Sequence, residues 1–199
     1  MKSAILLFFS CALLFGVAYP LAVTAIAQLL FSDQAQGSLV RSTDGTLVIG
    51  STLLGQEFTA SGYLWGRPSA TSPAACNPAL STGSNLSPTG EKMQSLIRSR
   101  ASRFSQRGAR VSLATAGNAG VPVDLLQASG SGLDPHISPA AAEFQVFRIA
   151  GARAISPEAV RRIIREKTEP RALGLFGAPR VNVLMVNLEL DRFCKRLSE

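Results

Sequence analysis

The residues able to do chemistry cluster between Val121 and Pro139, in VPVDLLQASGSGLDPHISP. The stretch carries the only histidine, His136, with Asp124, Asp134, Ser129, Ser131 and Ser138. Three chemistries have to be weighed. In nucleophilic catalysis, Ser129 or Ser131 would attack, His136 would serve as base and Asp134 would orient it. That needs the imidazole bonded to the nucleophile on one side and to the carboxylate on the other. Residues this close within one loop rarely reach that geometry, and Ala128-Ser129-Gly130 lacks the G-x-S-x-G of a nucleophile elbow. In metal binding, one histidine and scattered carboxylates make a poor ligand set, and Cys11, Cys76 and Cys194 show no C-x-x-C spacing. In anion binding, Gly130 and Gly132 free the backbone to turn its N–H groups inward, and Ser138 opens a helix whose N-terminus favours negative charge. Yet no P-loop lysine is present, and the glycine spacing fits neither the P-loop nor the dinucleotide fingerprint. An architectural reading competes with all three: Asp134-Pro135 begins a turn, His136 donates to backbone, and Ser138 caps a helix. Spacing alone favours architecture. No catalytic residue and no metal ligand is assigned.

Helical and extended segments must position this loop. Ser138-Pro139 is a helix start, with Ser at the N-cap and Pro at the first position. The helix is expected over 140–154, burying Ala140, Phe144, Phe147 and Ala150. Ser156-Pro157-Glu158 repeats the signal and opens a second helix, with Val160, Ile163 and Ile164 inward and Arg161, Arg162 and Arg165 outward. Before the loop, Thr89 caps a helix running to about Arg107. Met93, Leu96, Ile97 and Phe104 form its apolar stripe, and Lys92, Arg98, Arg100, Arg103 and Arg107 its solvated basic face. Val121 to Ala128 forms a strand end or one helical turn. Residues 174–179 turn the chain, and the β-branched run Val181 to Leu190 reads as a core strand. The charged tail from Arg192 is expected to fray.

Upstream, Ser38-Leu39-Val40 and Thr46 to Ile49 flank Asp44-Gly45, which predicts a hairpin. Trp65, the only tryptophan, is placed in the core by default. Residues 69–90 are rich in Ser, Pro, Thr, Gly and Asn and read as a long loop. The overall class is α+β.

The N-terminus is of another kind. From Ala4 to Phe31 the chain carries no charge, which is long enough to cross a hydrocarbon core of about 30 Å. Pro20 is expected to kink it. The alternative is a cleaved signal peptide on an exported hydrolase or binding protein, with Ala25-Ile26-Ala27 as the cleavage site. The apolar run continues past that site through Leu29, Leu30 and Phe31, so an uncleaved anchor is preferred. Residues 1–31 are therefore read as a transmembrane anchor and 32–199 as one soluble mixed α/β domain. Lys2 places the N-terminus inside and the domain outside. The net charge of +7 and pI near 10 suit anionic partners. Without the aromatic interleaving that single-strand binders use, a basic surface near a membrane is preferred and nucleic acid is not expected as a partner. If the domain is exported, Cys76 and Cys194 are free to pair, but sequence cannot bring them together.

Several motifs resemble one family. ASGSGLDPHISPAAAEFQVFRIAGAR (128–153) is similar to the C subunit of the bacterial Kdp potassium-transporting P-type ATPase, the KdpC family. The resemblance continues through Tyr19-Pro20-Leu21, Gly37-Ser38-Leu39-Val40, Gly50-Ser51 with Gly55-Gln56 and Phe58, and Trp65-Gly66-Arg67-Pro68-Ser69-Ala70. Gly83-Ser84-Asn85-Leu86, Val121-Pro122-Val123-Asp124-Leu125, and Gly177 with Pro179-Arg180-Val181-Asn182-Val183-Leu184 extend it toward the C-terminus. Thr82, Ser87, Cys76 and Ala178 depart from the family pattern. The resemblance implies an accessory, non-catalytic subunit of an ATP-driven potassium uptake complex in the inner membrane. Its partners would be a channel-like potassium-binding subunit and an ATP-hydrolysing pump subunit, and its domain would be periplasmic. It implies no cofactor of its own. One family proposal makes the subunit a catalytic chaperone that raises ATP affinity through the loop, here Ser129, Gly130, Ser131, Gly132, Leu133, Asp134 and His136. Another makes it a cap over the route by which potassium enters. A loop exported with its domain conflicts with direct contact to cytosolic ATP.

Overall fold

A computed structural model describes residues 1–42, 44–106 and 120–198. Arg107, which figured in the helix expectation, lies outside them. The chain divides into two units, 1–51 and 52–199, each described by itself.

The first unit opens with α1, Lys2–Leu30, the one helix among the described residues long and apolar enough to cross a membrane. Its middle, Leu14–Ala18, widens into a π-helical turn directly before Tyr19-Pro20. Proline has no N–H and its ring crowds the preceding turn, so the ladder there must adjust. The local response to Pro20 is this widened turn. After α2 (Ser32–Ala35), strands β1 (Leu39–Arg41) and β2 (Val48–Ser51) pair antiparallel, with Leu39 opposite Ser51 and Val40 opposite Gly50. The expected Asp44-Gly45 turn is present. Gly45 takes a φ of +71°, which suits a residue without Cβ, and its N–H donates to Ser42 O at 2.8 Å.

The second unit is mixed helix and sheet, so the α+β expectation holds. Helix α3 spans Glu91–Gln106, and a single 3-10 turn, Val123–Leu125, follows. Strand β3 (His136–Ile137) leads into α4 (Pro139–Phe144), α5 (Val146–Arg153) and α6 (Pro157–Glu166). Strands β4 (Thr168–Glu169) and β5 (Arg180–Asn182) complete a three-stranded antiparallel sheet with β5 in the centre. Helix α7, Val183–Ser198, closes the chain. Leu64, Val146, Ile149, Val160, Val181, Val186 and Leu190 are wholly buried and form the heart of the core. Trp65 joins them, as expected.

Both serine caps are formed. Ser138 Oγ accepts from Ala141 N and Ser156 Oγ from Ala159 N, each at 3.2 Å. Val160, Ile163 and Ile164 face inward as expected.

Several expectations need correction. The predicted strand 181–190 is strand only through Asn182; the remainder is the start of α7. Asn182 Oδ1 caps that helix by accepting from Met185 N at 3.2 Å. The buried set Val183, Val186, Asn187 and Leu190 has helical spacing, which overrides the β-branched local preference. The tail is correspondingly helical rather than frayed as far as Ser198. The single helix over 140–154 is two helices broken at Gln145 (φ −92°, ψ −8°). Beyond the break Val146, Arg148, Ile149 and Ala150 are buried while Phe147 is exposed, and Ala140 in the helix before it is exposed as well. Phe147 lies instead under the Arg161 guanidinium, 5.2 Å from its ring centre. Arg100 is not on the solvated face of α3. It sits one helical turn beyond Leu96 and two beyond Met93, half-buried, and donates to Leu126 O at 2.6 Å. Cys76 and Cys194 are both unpaired thiols. Cys76 N is tied to Ser69 Oγ, whereas Cys194 Sγ accepts from Arg153.

Candidate functional site: a clasped loop

The 129–136 segment is held from three sides by its main chain. Gly55 N donates to Leu133 O at 2.8 Å, Thr82 N to Ser131 O at 2.9 Å, and Ser129 N to Pro68 O at 3.1 Å. Side chains add to this. Ser69 Oγ donates to Gly132 O at 2.8 Å, and Ser81 Oγ to Ser131 O at 3.1 Å. Leaving buried carbonyls unpaired is costly, so these donors define the loop's path. Close packing reinforces it. Gly132 has φ +71°, and a Cβ there would lie 2.7 Å from both Thr71 Cγ2 and Thr82 O. A Cβ on Gly83 would lie 2.9 Å from Gly130 O, and one on Gly55 2.8 Å from Asp134 O.

Asp134 anchors the end of the loop. One carboxylate oxygen meets Arg67 Nη1 at 3.1 Å; the other accepts from His136 N at 3.0 Å, an Asx turn. His136 departs from expectation. It sits in β3, paired with Asn182, and its ring faces two carboxylates rather than a backbone acceptor. Nδ1 is 3.6 Å from Asp134 and Nε2 is 3.8 Å from Glu169. Ser131 Oγ meanwhile accepts from Leu133 N at 3.1 Å, and Ser129 is buried. The imidazole therefore has carboxylates on both sides and no serine on either, which is not triad geometry. Gly130 and Ser131 are exposed at the apex, Gly132 is buried, and Leu133, Asp134 and His136 are half-buried. What the arrangement offers chemically is a fixed backbone shape with one small polar tip.

A family model described as the K+-transporting ATPase c chain, KdpC, matches residues 1–192. The chain belongs to the KdpC family. Its similarity to curated KdpC subunits of potassium-transporting ATPases runs along most of the sequence. The Sorangium cellulosum subunit is 54% identical over 176 residues, 88% of each chain. The Polaromonas naphthalenivorans subunit is 50% identical over 192 residues, 96% of this chain and 93% of the relative. The Methylococcus capsulatus subunit is 49% identical over 191 residues, 96% of each.

The KdpC-like motifs scattered along the sequence now have a common place. Gly55, Arg67 to Ser69, and Ser81 to Gly83 are the walls around the 129–136 loop. Reading residues within one loop missed them. The signal available was the presence of short Gly- and Ser-bearing motifs in otherwise irregular chain, which need a reason to be small. Gln145 and Asn187 were also missed. Each is a buried amide that pairs with main chain near the loop's wall.

Proposed function

We propose that this chain is an accessory, non-catalytic subunit of a high-affinity ATP-driven potassium uptake complex. Its partners are a channel-like potassium-binding subunit and an ATP-hydrolysing P-type pump subunit. Residues 1–31 anchor it as a single pass in the inner membrane with the N-terminus cytoplasmic, and residues 32–199 form the periplasmic domain. The uncharged run in α1 and the position of Lys2 support this placement.

In this reading Ser129, Gly130, Ser131, Gly132, Leu133, Asp134 and His136 form a contact loop for a neighbouring subunit. One observation carries it: the carbonyls of residues 131–133 and the Asp134 carboxylate are taken up by the clasp, leaving Gly130-Ser131 as a rigid exposed tip. A preorganised tip loses little entropy on docking. If the family's chaperone role operates here, it acts by contact on the pump assembly, because a periplasmic loop does not reach cytosolic ATP. The subunit then needs no cofactor of its own.

Ser131→Trp tests the contact. The variant should keep the wild-type unfolding midpoint but lose several-fold in co-purification with the pump subunits and in potassium-stimulated ATP hydrolysis. Full activity with a tryptophan at the tip would sink the contact role. Sidedness is tested separately with Ser131→Cys in a Cys76→Ser/Cys194→Ser background. A membrane-impermeant maleimide should label it in intact spheroplasts; labelling only after lysis would reverse the topology. Deleting residues 4–31 should abolish assembly, and a complex that survived the deletion would remove the anchor's role.

A further inference from the structure

The wall that holds Asp134 also lines a second concavity. A cleft of about 200 Å³ lies between the Trp65 to Ser69 segment and the C-terminal half of α3. Among the described residues its cationic lining is Arg67, Arg100 and Arg103, and its one carboxylate is Glu57. Among the described residues, Glu57 makes no ion pair with any of the three arginines.

The charges in this cleft are poorly compensated. Arg67 spends Nη1 on Asp134, and its Nε is buried without a hydrogen-bond partner. Arg100 gives Nη1 to Leu126 O. Burial, and then the neighbouring charge of Arg103, pulls the Arg100 guanidinium below its ordinary range. Arg103 makes no ion pair among the described residues and stands three positions further along the same helix. The floor is aromatic and apolar, with Trp65 and Phe104 ring centres 5.2 Å apart and Leu125 alongside. Convergent guanidinium groups over a low-dielectric floor repel one another unless an anion sits among them. Guanidinium forks match tetrahedral oxyanions with paired hydrogen bonds, and each arginine keeps donors to spare.

We propose that this cleft is an oxyanion-binding site that takes a phosphoryl group, with Arg100 and Arg103 as its direct ligands. Arg67 connects the site to the 129–136 loop through Asp134, so occupancy bears on the clasp. Two sources share the chemistry: free phosphate, and the phosphodiester of an anionic lipid headgroup. The inference stands on the cleft alone and is independent of the transport reading.

The test uses the full chain in neutral detergent micelles, titrated calorimetrically with inorganic phosphate and with glycerophosphoglycerol, a soluble lipid-headgroup diester. Saturable binding of at least one probe is expected. Arg103→Gln should weaken it by about tenfold or more, the loss of one charge-assisted contact. Because the Arg103 side chain is exposed, that variant keeps the fold; Arg100→Gln/Arg103→Gln should abolish binding. Arg162→Gln on α6, an exposed arginine outside the cleft, should change affinity less than twofold. Binding of the diester assigns the headgroup as source, and binding of inorganic phosphate alone assigns the free anion. No saturable binding of either probe, or an equal loss in Arg162→Gln, overturns the proposal.

Discussion

Gln145 holds both main-chain polar groups of Trp65. Its Oε1 accepts from Trp65 N at 2.9 Å and its Nε2 donates to Trp65 O at 3.0 Å. Asn187 does the same for the preceding residue, accepting from Leu64 N at 2.7 Å and donating to Leu64 O at 3.0 Å. Two buried amides, from the α4–α5 break and from α7, thus stand in for the neighbouring strand that this segment lacks. Arg148 completes the seat. Its guanidinium lies 3.8 Å from the centre of the Trp65 ring and donates to Gln145 Oε1 at 2.6 Å. Gln145→Leu and Asn187→Leu each remove two buried main-chain partners, so each should cost about 2–4 kcal/mol. Urea unfolding followed by Trp65 fluorescence measures this directly. A loss below about 0.5 kcal/mol would mean the amides are replaceable by packing. The two variants should also be less than additive, since both act on one short segment.

Gly132 tests the clasp itself. Alanine there must accept the left-handed region and a Cβ only 2.7 Å from Thr71 Cγ2 and Thr82 O. Left-handed backbone and overpacking together should cost about 2–4 kcal/mol. The clasp should open before the core does. In hydrogen exchange, the amides of Thr82 and Gly55 should lose protection while those of α6 keep theirs. Uniform loss of protection would show that the loop and core unfold as one. Gly130→Ala is the matched control: a Cβ there meets nothing within 4 Å.

What was legible in the sequence was local. The hairpin around Asp44-Gly45, the two Ser-Pro helix starts and the inward Val160, Ile163 and Ile164 follow from turn chemistry, capping and periodicity over a few residues. Over the last element two local signals compete. Val181 to Leu190 is β-branched at first and helically spaced throughout, and tertiary burial of Val186 and Leu190 decided for helix. Phe147 has the spacing of a core residue, but it lies beyond the break at Gln145 and faces outward, and the Gln145 side chain at that break binds Trp65, 80 positions away. The loop's residues were visible, but its walls were not. No local pattern reveals that Gly55, Ser69 and Thr82 converge on residues 131–133.

The two serine caps can be weighed against each other. Ser156 supports α6 through one bond to Ala159 N, at an exposed end. Ser138 caps α4, and its own N–H is held by Asp124 Oδ2 at 2.8 Å. Ser156→Ala should cost about 1 kcal/mol, as ordinary caps do. Ser138→Ala loses the same side-chain bond but keeps the Asp124 contact, since that uses the backbone N–H. The two should therefore cost similar amounts, while Asp124→Ala should add a further loss of about 1–2 kcal/mol. Thermal unfolding of the three variants separates these contributions. A Ser138→Ala cost well above that of Ser156→Ala would mean the hydroxyl does more than cap.

Cys76 reports on the arginine-lined cleft through its acidity. Burial first, and then the negative charge of Glu57, push its thiol upward, opposed by the hydrogen bond with Ser69. The sign follows directly. A raised thiol pKa leaves less thiolate at any pH below it, and the thiolate is the species that reacts. In a Cys11→Ser/Cys194→Ser background, iodoacetamide should therefore alkylate Cys76 more slowly at pH 8 than it alkylates the urea-unfolded chain. The rate should climb to its plateau at a higher pH than for the unfolded thiol. Glu57→Gln removes the second cause and keeps the first, so the profile should move down in pH only part of the way. A profile in the folded chain that overlays the unfolded one would show that neither burial nor Glu57 acts on this thiol. A Glu57→Gln profile identical to wild type would leave burial as the sole cause and place Glu57's charge away from Cys76, toward the guanidinium groups on the same cleft.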